Sequence, residues 1–499
     1  MNAITKVFSL RNPLAKLPRP LAVATCLALA ITVSPLGAAA QPKPETLIRL
    51  AGSYTLGSKA ALEMAKVWAK QLGLPGVKVE GGIEPDEYDV VLEGAEDAQR
   101  IRVQVRAKGT GTGFEPLVRG QADIWMASRQ VNDLDIDSAK RHKVQNVPTL
   151  AQMQANTSEN VVGIATLAVI TSPKNPVTTL TYAQVRDLFT GKLTNWNQVG
   201  GKSSPVAVYA LDGALGHADA FCAQVMGVPD TSKCLDSLAP LAAPRFNIMD
   251  DLSDAVAGNP SALGFVGFAY RRSARPLILV NDCGSPVEAS LFRVKVEEYP
   301  LQRRMYFYTM PGRAIPQAVK DFIALAVSPA GQGALAAVGL ANLTPSKSDD
   351  NYVDGRLATF RDALDAHQTR VRGADVTAFE EAVANSDRLS ITFRFQSGTN
   401  NLDTRAEADI TRLAELMHQP PYVGSAVTLI GFSSAAGVYD VNRQLSRDRA
   451  TAVRDRLVAA GLNVANAIGV GPGGAVACNL NPSTAPLNQR VEVWVARKG

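Results

Sequence analysis

Histidine is scarce in this 499-residue chain, with four residues at 142, 217, 367 and 418. With no G-x-S-x-G and no H-E-x-x-H either, the nucleophile-elbow and zinc-protease arrangements are excluded. Sequence does not show which carboxylates meet in space, but no catalytic set is evident, and neither enzyme activity nor a cofactor is expected. Cysteine is sparse as well, at five, and none has the close paired spacing of a zinc site. Beyond the N-terminal region no apolar run is long enough to cross a bilayer. Neither half carries a Lys/Arg stripe interleaved with aromatics, so nucleic acid is not an expected partner. No internal repeat or low-complexity tract is evident.

What is present begins with a basic start (Lys6, Arg11, Lys16, Arg19), an apolar run Leu21–Val33, and Gly37-Ala-Ala-Ala40 before Gln41. This is the pattern of a secretory signal over residues 1–40, cleaved near Ala40. Cys26 precedes most of the apolar run, which argues against a lipoprotein. The leader holds four basic residues and no acid, so removing it brings the formal net charge from +5 to +1. Export places the other four cysteines in an oxidising compartment, with three pairings open. Cys222 and Cys234, close in sequence, are the favoured pair, and Cys283 and Cys478 are left open between free thiols and a second bridge.

From Thr46 to Leu343, strands alternate with amphipathic helices, the mark of an α/β architecture. In the helix expected over Lys59–Leu72, residues Ala61, Met64, Trp68 and Leu72 recur at near-helical spacing, and Ile315–Val327 repeats the pattern. The alternating run Ile101–Arg106 reads as a strand. It turns through Gly109, Gly111 and Gly113 into a short helix, Phe114–Arg119. Glycines admit close backbone approach, Thr110 and Thr112 supply hydroxyls, and a helix start adds free N–H groups, so the turn suits an anion. The spacing differs from the G-x-G-x-x-G of a dinucleotide fold, and as a bare motif it fits a plain Gly-rich turn equally well.

The block continues as Gly120, Ala122, Asp123, Ile124, Met126, Ser128 and Arg129. Other landmarks are Ala51-Gly-Ser-Tyr-Thr-Leu56, Asn175-Pro-Val and Phe189-Thr-Gly-Lys-Leu-Thr-Asn-Trp196. Leu263-Gly-Phe-Val-Gly267, Tyr299-Pro-Leu-Gln-Arg303 and Ser328-Pro-Ala-Gly-Gln332 complete the set. Over Pro44–Pro345 the chain resembles phosphate-type periplasmic substrate-binding proteins. The resemblance implies two α/β lobes of the type 2 binding-protein fold, with the chain crossing near residues 165 and 270. It also implies an anion site of Ser53, Thr55, Thr110, Gly111, Thr112, Ser128 and Arg129 from the first lobe.

The second lobe departs from that family. Its R-x-x-x-S-G-T pattern stands here as Leu211 to His217, so Leu211, Leu215 and His217 replace Arg, Ser and Thr, and only Gly216 is kept. Losing charge-assisted and neutral hydrogen bonds, on the order of 1–3 kcal/mol each, implies weak orthophosphate binding or another small anion. Gly216 and His217 complete the expected anion set. His217 fits a surface or capping role as well as an anion donor.

Residues 346–385 are polar, and their charged helical stretch reads as a solvated linker. The last unit, 386–499, runs strand Leu389–Phe395, helix Thr404–Met417, strand Ala426–Ile430, helix Leu445–Ala460 and strand Arg490–Ala496. Phe395, Gly398, Leu402, the loop Gly431–Gly437, the N-x-x-L-S-x-x-R-A run from Asn442, and Asn488-Gln-Arg-Val-Glu492 carry a resemblance to OmpA-like peptidoglycan-binding domains. That β-α-β-α-β, α+β domain implies a peptidoglycan site at Ser434, Asn442 and Arg449. Ser434 stands where the family has the Asp that meets an ammonium group. The expected function is an exported solute-binding protein for phosphate or a related small anion, tethered to the cell wall, with an ABC transporter membrane complex as partner. The alternatives are a non-binding envelope scaffold and a periplasmic phosphohydrolase.

Overall fold

The computed structural model describes residues 45–82, 86–94, 100–211, 216–228, 231–238, 242–281, 283–365, 371–396, 399–479 and 484–497. The signal segment, Leu215 and Gly398 lie outside them, as does the His217 side chain. No described helix is long and apolar enough to cross a membrane.

Parallel pairing of Glu45–Gly52 with Arg100–Arg106 and with Ile124–Ala127 founds the first lobe. Alternation in Arg100–Arg106 puts Ile101, Val103 and Val105 inside, against Ala61, Met64, Ala65 and Trp68 of the helix Ala61–Gln71. Glu159–Thr171 is a thirteen-residue strand that carries the chain into the second lobe. Its first half pairs with Gln302–Tyr308 and its second half with Ala262–Gly267. The first crossing therefore falls near residue 166, close to the expected position. The return does not lie near 270. Residues 275–287 still pair within the second lobe, and the chain re-enters the first lobe at Gln302.

The C-terminal sheet runs in the order Ser386–Arg394, Arg490–Ala496, Val427–Phe432, Val464–Gly469. The last of these was not expected, and Tyr439–Ala459 starts six residues before the expected Leu445. Thr404–Met417 and Tyr439–Ala459 cover one face, where Leu429, Val491, Val493 and Val495 point. Side chains alternate across a strand, so Ile430, Phe432 and Trp494 face the other way. There they meet helices Asp350–Asp365 and Gly373–Val383. Phe360 stacks on Phe379 at 4.4 Å, and Phe379 meets Trp494 edge-on at 5.9 Å. The segment read as a solvated linker is thus the second helical layer of this sheet. Its buried Arg356 donates to Glu492 and to the Gly474 carbonyl.

The two parts meet through buried charge. Glu297, just past the helix Leu291–Lys295, pairs with Arg304 at 2.5 Å, Arg405 at 2.5 Å and Arg394 at 2.8 Å. Burial alone would raise its pKa, but the arginines hold it well below the carboxylate range. Glu298 is buried too, and Arg388, Arg356, Arg490 and Arg293 bring it down to about 2. Thr404 donates to Glu159, which also accepts from Tyr308 Oη at 2.6 Å and Gln130 Nε2 at 3.0 Å. Cys222–Cys234 forms as expected. Cys283 and Cys478, left open by the sequence, form a second disulfide, from the second lobe to the C-terminal part.

Candidate functional site

The expected first-lobe residues collect where the parallel strands end, the usual place for ligands on such sheets. Gly109 N–H donates to the Gly52 carbonyl and Ser53 N–H to that of Met126, both at 2.8 Å, so three loops are stitched together. This packing demands glycine at position 52, where φ is +124° and an added Cβ would lie 2.2 Å from the Met126 oxygen. The Thr110 and Ser128 hydroxyls meet at 2.9 Å, and Thr110 Oγ1 also accepts the Ser128 N–H. Trp125 Nε1 fixes the loop through the Thr110 carbonyl at 2.8 Å. Ser53 is buried at the start of the next helical turn, with Oγ 3.5 Å from Leu56 N. Gly111 is exposed, and the Thr112 hydroxyl donates to Gly109 O at 2.8 Å.

Arg129 has a carboxylate partner that its motif did not indicate. It makes two parallel 2.7 Å bonds to Asp135, whose Oδ2 also accepts Asn132 N–H at the start of the helix Asp133–Arg141. That hydrogen-bonded pairing raises its pKa. A guanidinium neutralised in this way offers little net charge to a ligand. Arg303 instead reaches the first-lobe loop, donating from Nη2 to Thr55 Oγ1 at 3.1 Å. It sits at the start of the return strand, where the chain passes between lobes. Leu211 does not line the cleft, because it is fully buried at the end of Ala207–Leu211 in the second-lobe core. Gly216 and His217 open the short helix Gly216–Phe221.

In the C-terminal part, Gly431 lets its strand lie against the helix, since a Cβ there would come within 1.9 Å of the Ser446 oxygen. Arg449 is buried on that helix and donates from Nη2 to Gln489 Oε1 at 2.8 Å. Its guanidinium lies 5.0 Å from the Phe395 ring centroid. Its Nε and Nη1 meet no acceptor among the described residues. Burial lowers its pKa. Gln489 Nε2 donates to Ser434 Oγ at 3.4 Å, so Ser434 and Arg449 flank one amide. Asn442 Nδ2 holds the Ala436 carbonyl at 2.7 Å, which fixes the loop that carries Ser434.

Residues 86–330 match the PBP superfamily domain, and residues 394–486 match the OmpA family. The chain joins a PBP superfamily domain to an OmpA family domain. Its first part is 28% identical over 247 residues to Protein SphX of Synechococcus elongatus, covering 47% of this chain and 67% of that protein. It is 23% identical over 258 residues to the phosphate-binding protein PstS of Bacillus subtilis, covering 52% and 77% respectively. A third relative, the probable lipoprotein YiaD of Escherichia coli, is 27% identical over 147 residues, or 29% of this chain and 63% of that protein.

Sequence reasoning passed over two contributors to these sites. Arg303 stood in the landmark Tyr299–Arg303, but a return placed near 270 left it no reason to reach the PBP cleft. Gln489 of the OmpA domain lies within Asn488-Gln-Arg-Val-Glu492 and gains its role only when that segment folds back beside the Gly431–Gly437 loop.

Proposed function

We propose that this chain is an exported solute-binding protein for phosphate or a related small anion, held to the cell wall through its OmpA domain. In this reading it delivers its solute to an ABC transporter membrane complex. The carrying observation is the Arg303–Thr55 contact on the three stitched loops that also carry the Thr110–Ser128 hydroxyl pair. A guanidinium with converging hydroxyls supplies the charge-assisted and neutral bonds that replace the water of an oxyanion. The B. subtilis relative is named a phosphate-binding protein, which supports this ligand class. Two disulfides agree with life in an oxidising envelope compartment.

Ser53, Thr55, Thr110, Ser128 and Arg303 would hold the anion, and Arg449 with Ser434 and Gln489 would meet a carboxylate of peptidoglycan. Calorimetry of the full chain with orthophosphate and phosphate-bearing solutes tests the first role. Binding of any of them, lost in Arg303→Met, supports it, and no binding by the whole set removes it. Co-sedimentation with purified peptidoglycan tests the second.

A further inference from the structure

Beside Thr55 the cleft widens into a cavity of about 330 Å³. Ser58 and Lys59 line it from the first lobe, Thr166 from the crossing strand, and Asn247, Asp250 and Tyr270 from the second lobe. Its wall is built from both lobes. Tyr270 Oη donates to the Val338 carbonyl at 2.8 Å. Gly339 (φ +87°) lets the ring approach, because an added Cβ would lie 2.8 Å from it. The Lys59 ammonium stands 5.6 Å from the centroid of the same ring, a cation–π distance.

Two observations point to an organic occupant. The volume is that of a pocket for a small organic molecule, which begins at about 300 Å³. Orthophosphate has only five heavy atoms and would leave most of the cavity unfilled. The second is Thr166, a buried residue on the cavity wall whose Oγ1 meets no partner among the described residues. Buried hydroxyls are paired in the large majority of cases. A turn about χ1, which exchanges the hydroxyl with the methyl, would present it to a polar group on the ligand.

We infer that the best ligand is a monosubstituted phosphoryl anion, a phosphate monoester or phosphonate, whose small hydroxyl- or amine-bearing substituent fills this cavity. The inference rests on the reading of the cleft as an anion site. Thr55 joins the two regions: its hydroxyl accepts from Arg303, and it also lines the cavity. Asp250 suits an amine or hydroxyl donor on the substituent, and Lys59, Asn247 and Thr166 suit its oxygens.

Calorimetry on the full chain with orthophosphate, glycerol 3-phosphate and 2-aminoethylphosphonate tests this. At least one organic anion should bind about tenfold tighter than orthophosphate or better, which is ~1.4 kcal/mol. The double variant Thr166→Val, Lys59→Met should bring that ratio towards one, with circular dichroism confirming the fold. Orthophosphate binding as tightly as both organic anions would overturn the inference and leave the anion-site reading standing. An unchanged ratio in the double variant would also overturn it. Binding of none of the three would overturn both.

Discussion

Cys283 of the second lobe is bonded to Cys478 of the OmpA domain across 195 residues of chain. Buried Arg–carboxylate pairs centred on Glu297 join the same two parts, since Arg394 and Arg405 belong to the OmpA domain. A domain that only tethers needs neither feature. The OmpA domain meets both strands where the binding module crosses between lobes, through Thr404 on Glu159 and Asp403 on Arg304, and Arg303 precedes Arg304 on the return strand. Arg303 reaches Thr55, and Arg304 reaches Glu297 and Asp403. Anything that shifts that strand bears on both sites.

The two disulfides should differ in what they contribute. Cross-linking stabilises in large part by restricting the unfolded chain, and closure entropy grows with loop length. Cys222–Cys234 spans 12 residues and Cys283–Cys478 spans 195. That ratio of about four doublings makes Cys283→Ser costlier than Cys222→Ser by about 2 kcal/mol. Urea unfolding under non-reducing conditions measures the difference, and equal costs would refute the argument.

Acid should loosen the joint from a definite pH downward. Glu298 has a folded pKa of about 2, below the ordinary value for glutamate, so its folded state binds fewer protons than the unfolded chain. Its contribution is full above the unfolded pKa of about 4.3 and is lost as pH falls towards 2. Glu297 shifts in the same sense. Unfolding midpoints should therefore hardly respond to these two groups between pH 7 and 5, then fall below about pH 4.3. Glu297→Gln, which leaves three arginines facing a neutral amide, should cost about 3–5 kcal/mol at pH 7. It should also flatten the acid limb.

Leu211→Arg would restore the arginine of the phosphate-type pattern, yet it should not restore affinity. Leu211 is fully buried between strands of the second-lobe core, and an unpaired guanidinium there is costly. The expected result is a loss of several kcal/mol in denaturant stability, with no gain in orthophosphate affinity by calorimetry.

This residue shows where sequence reading stops. Position in a motif fixed what Leu211 replaces but not where it faces. Thr404–Met417 and Arg490–Ala496 were legible with their bounds, because a helical stripe and a two-residue alternation each mark one buried face. Val464–Gly469 is a short, half-exposed edge strand with no such mark. The helices of 350–383 read as solvated because Arg356 is polar, and its partner Glu492 lies 136 residues away. Cys283–Cys478 and the Glu297 cluster depend on similarly distant pairings, which local pattern does not carry.

At the pocket proposed to bind the wall, Arg449 should matter more than Ser434. Two of its buried nitrogens lack an acceptor among the described residues, and buried donors of that kind are ordinarily satisfied. A ligand carboxylate would supply two charge-assisted bonds, each worth about 1.5–3 kcal/mol. Arg449→Ala should therefore abolish co-sedimentation of the full chain with peptidoglycan, and Arg449→Lys should weaken it at least about tenfold, since an ammonium cannot reproduce the fork. Ser434→Asp should strengthen binding to peptides bearing a free ammonium and make it more sensitive to salt, because it adds a charge beside Gln489. The intact chain is the right material. Residues 386–499 alone would expose the face that Phe360 and Phe379 cover and leave Cys478 without Cys283. Wild-type sedimentation in Arg449→Ala would show that the domain holds the wall elsewhere or not at all through this pocket.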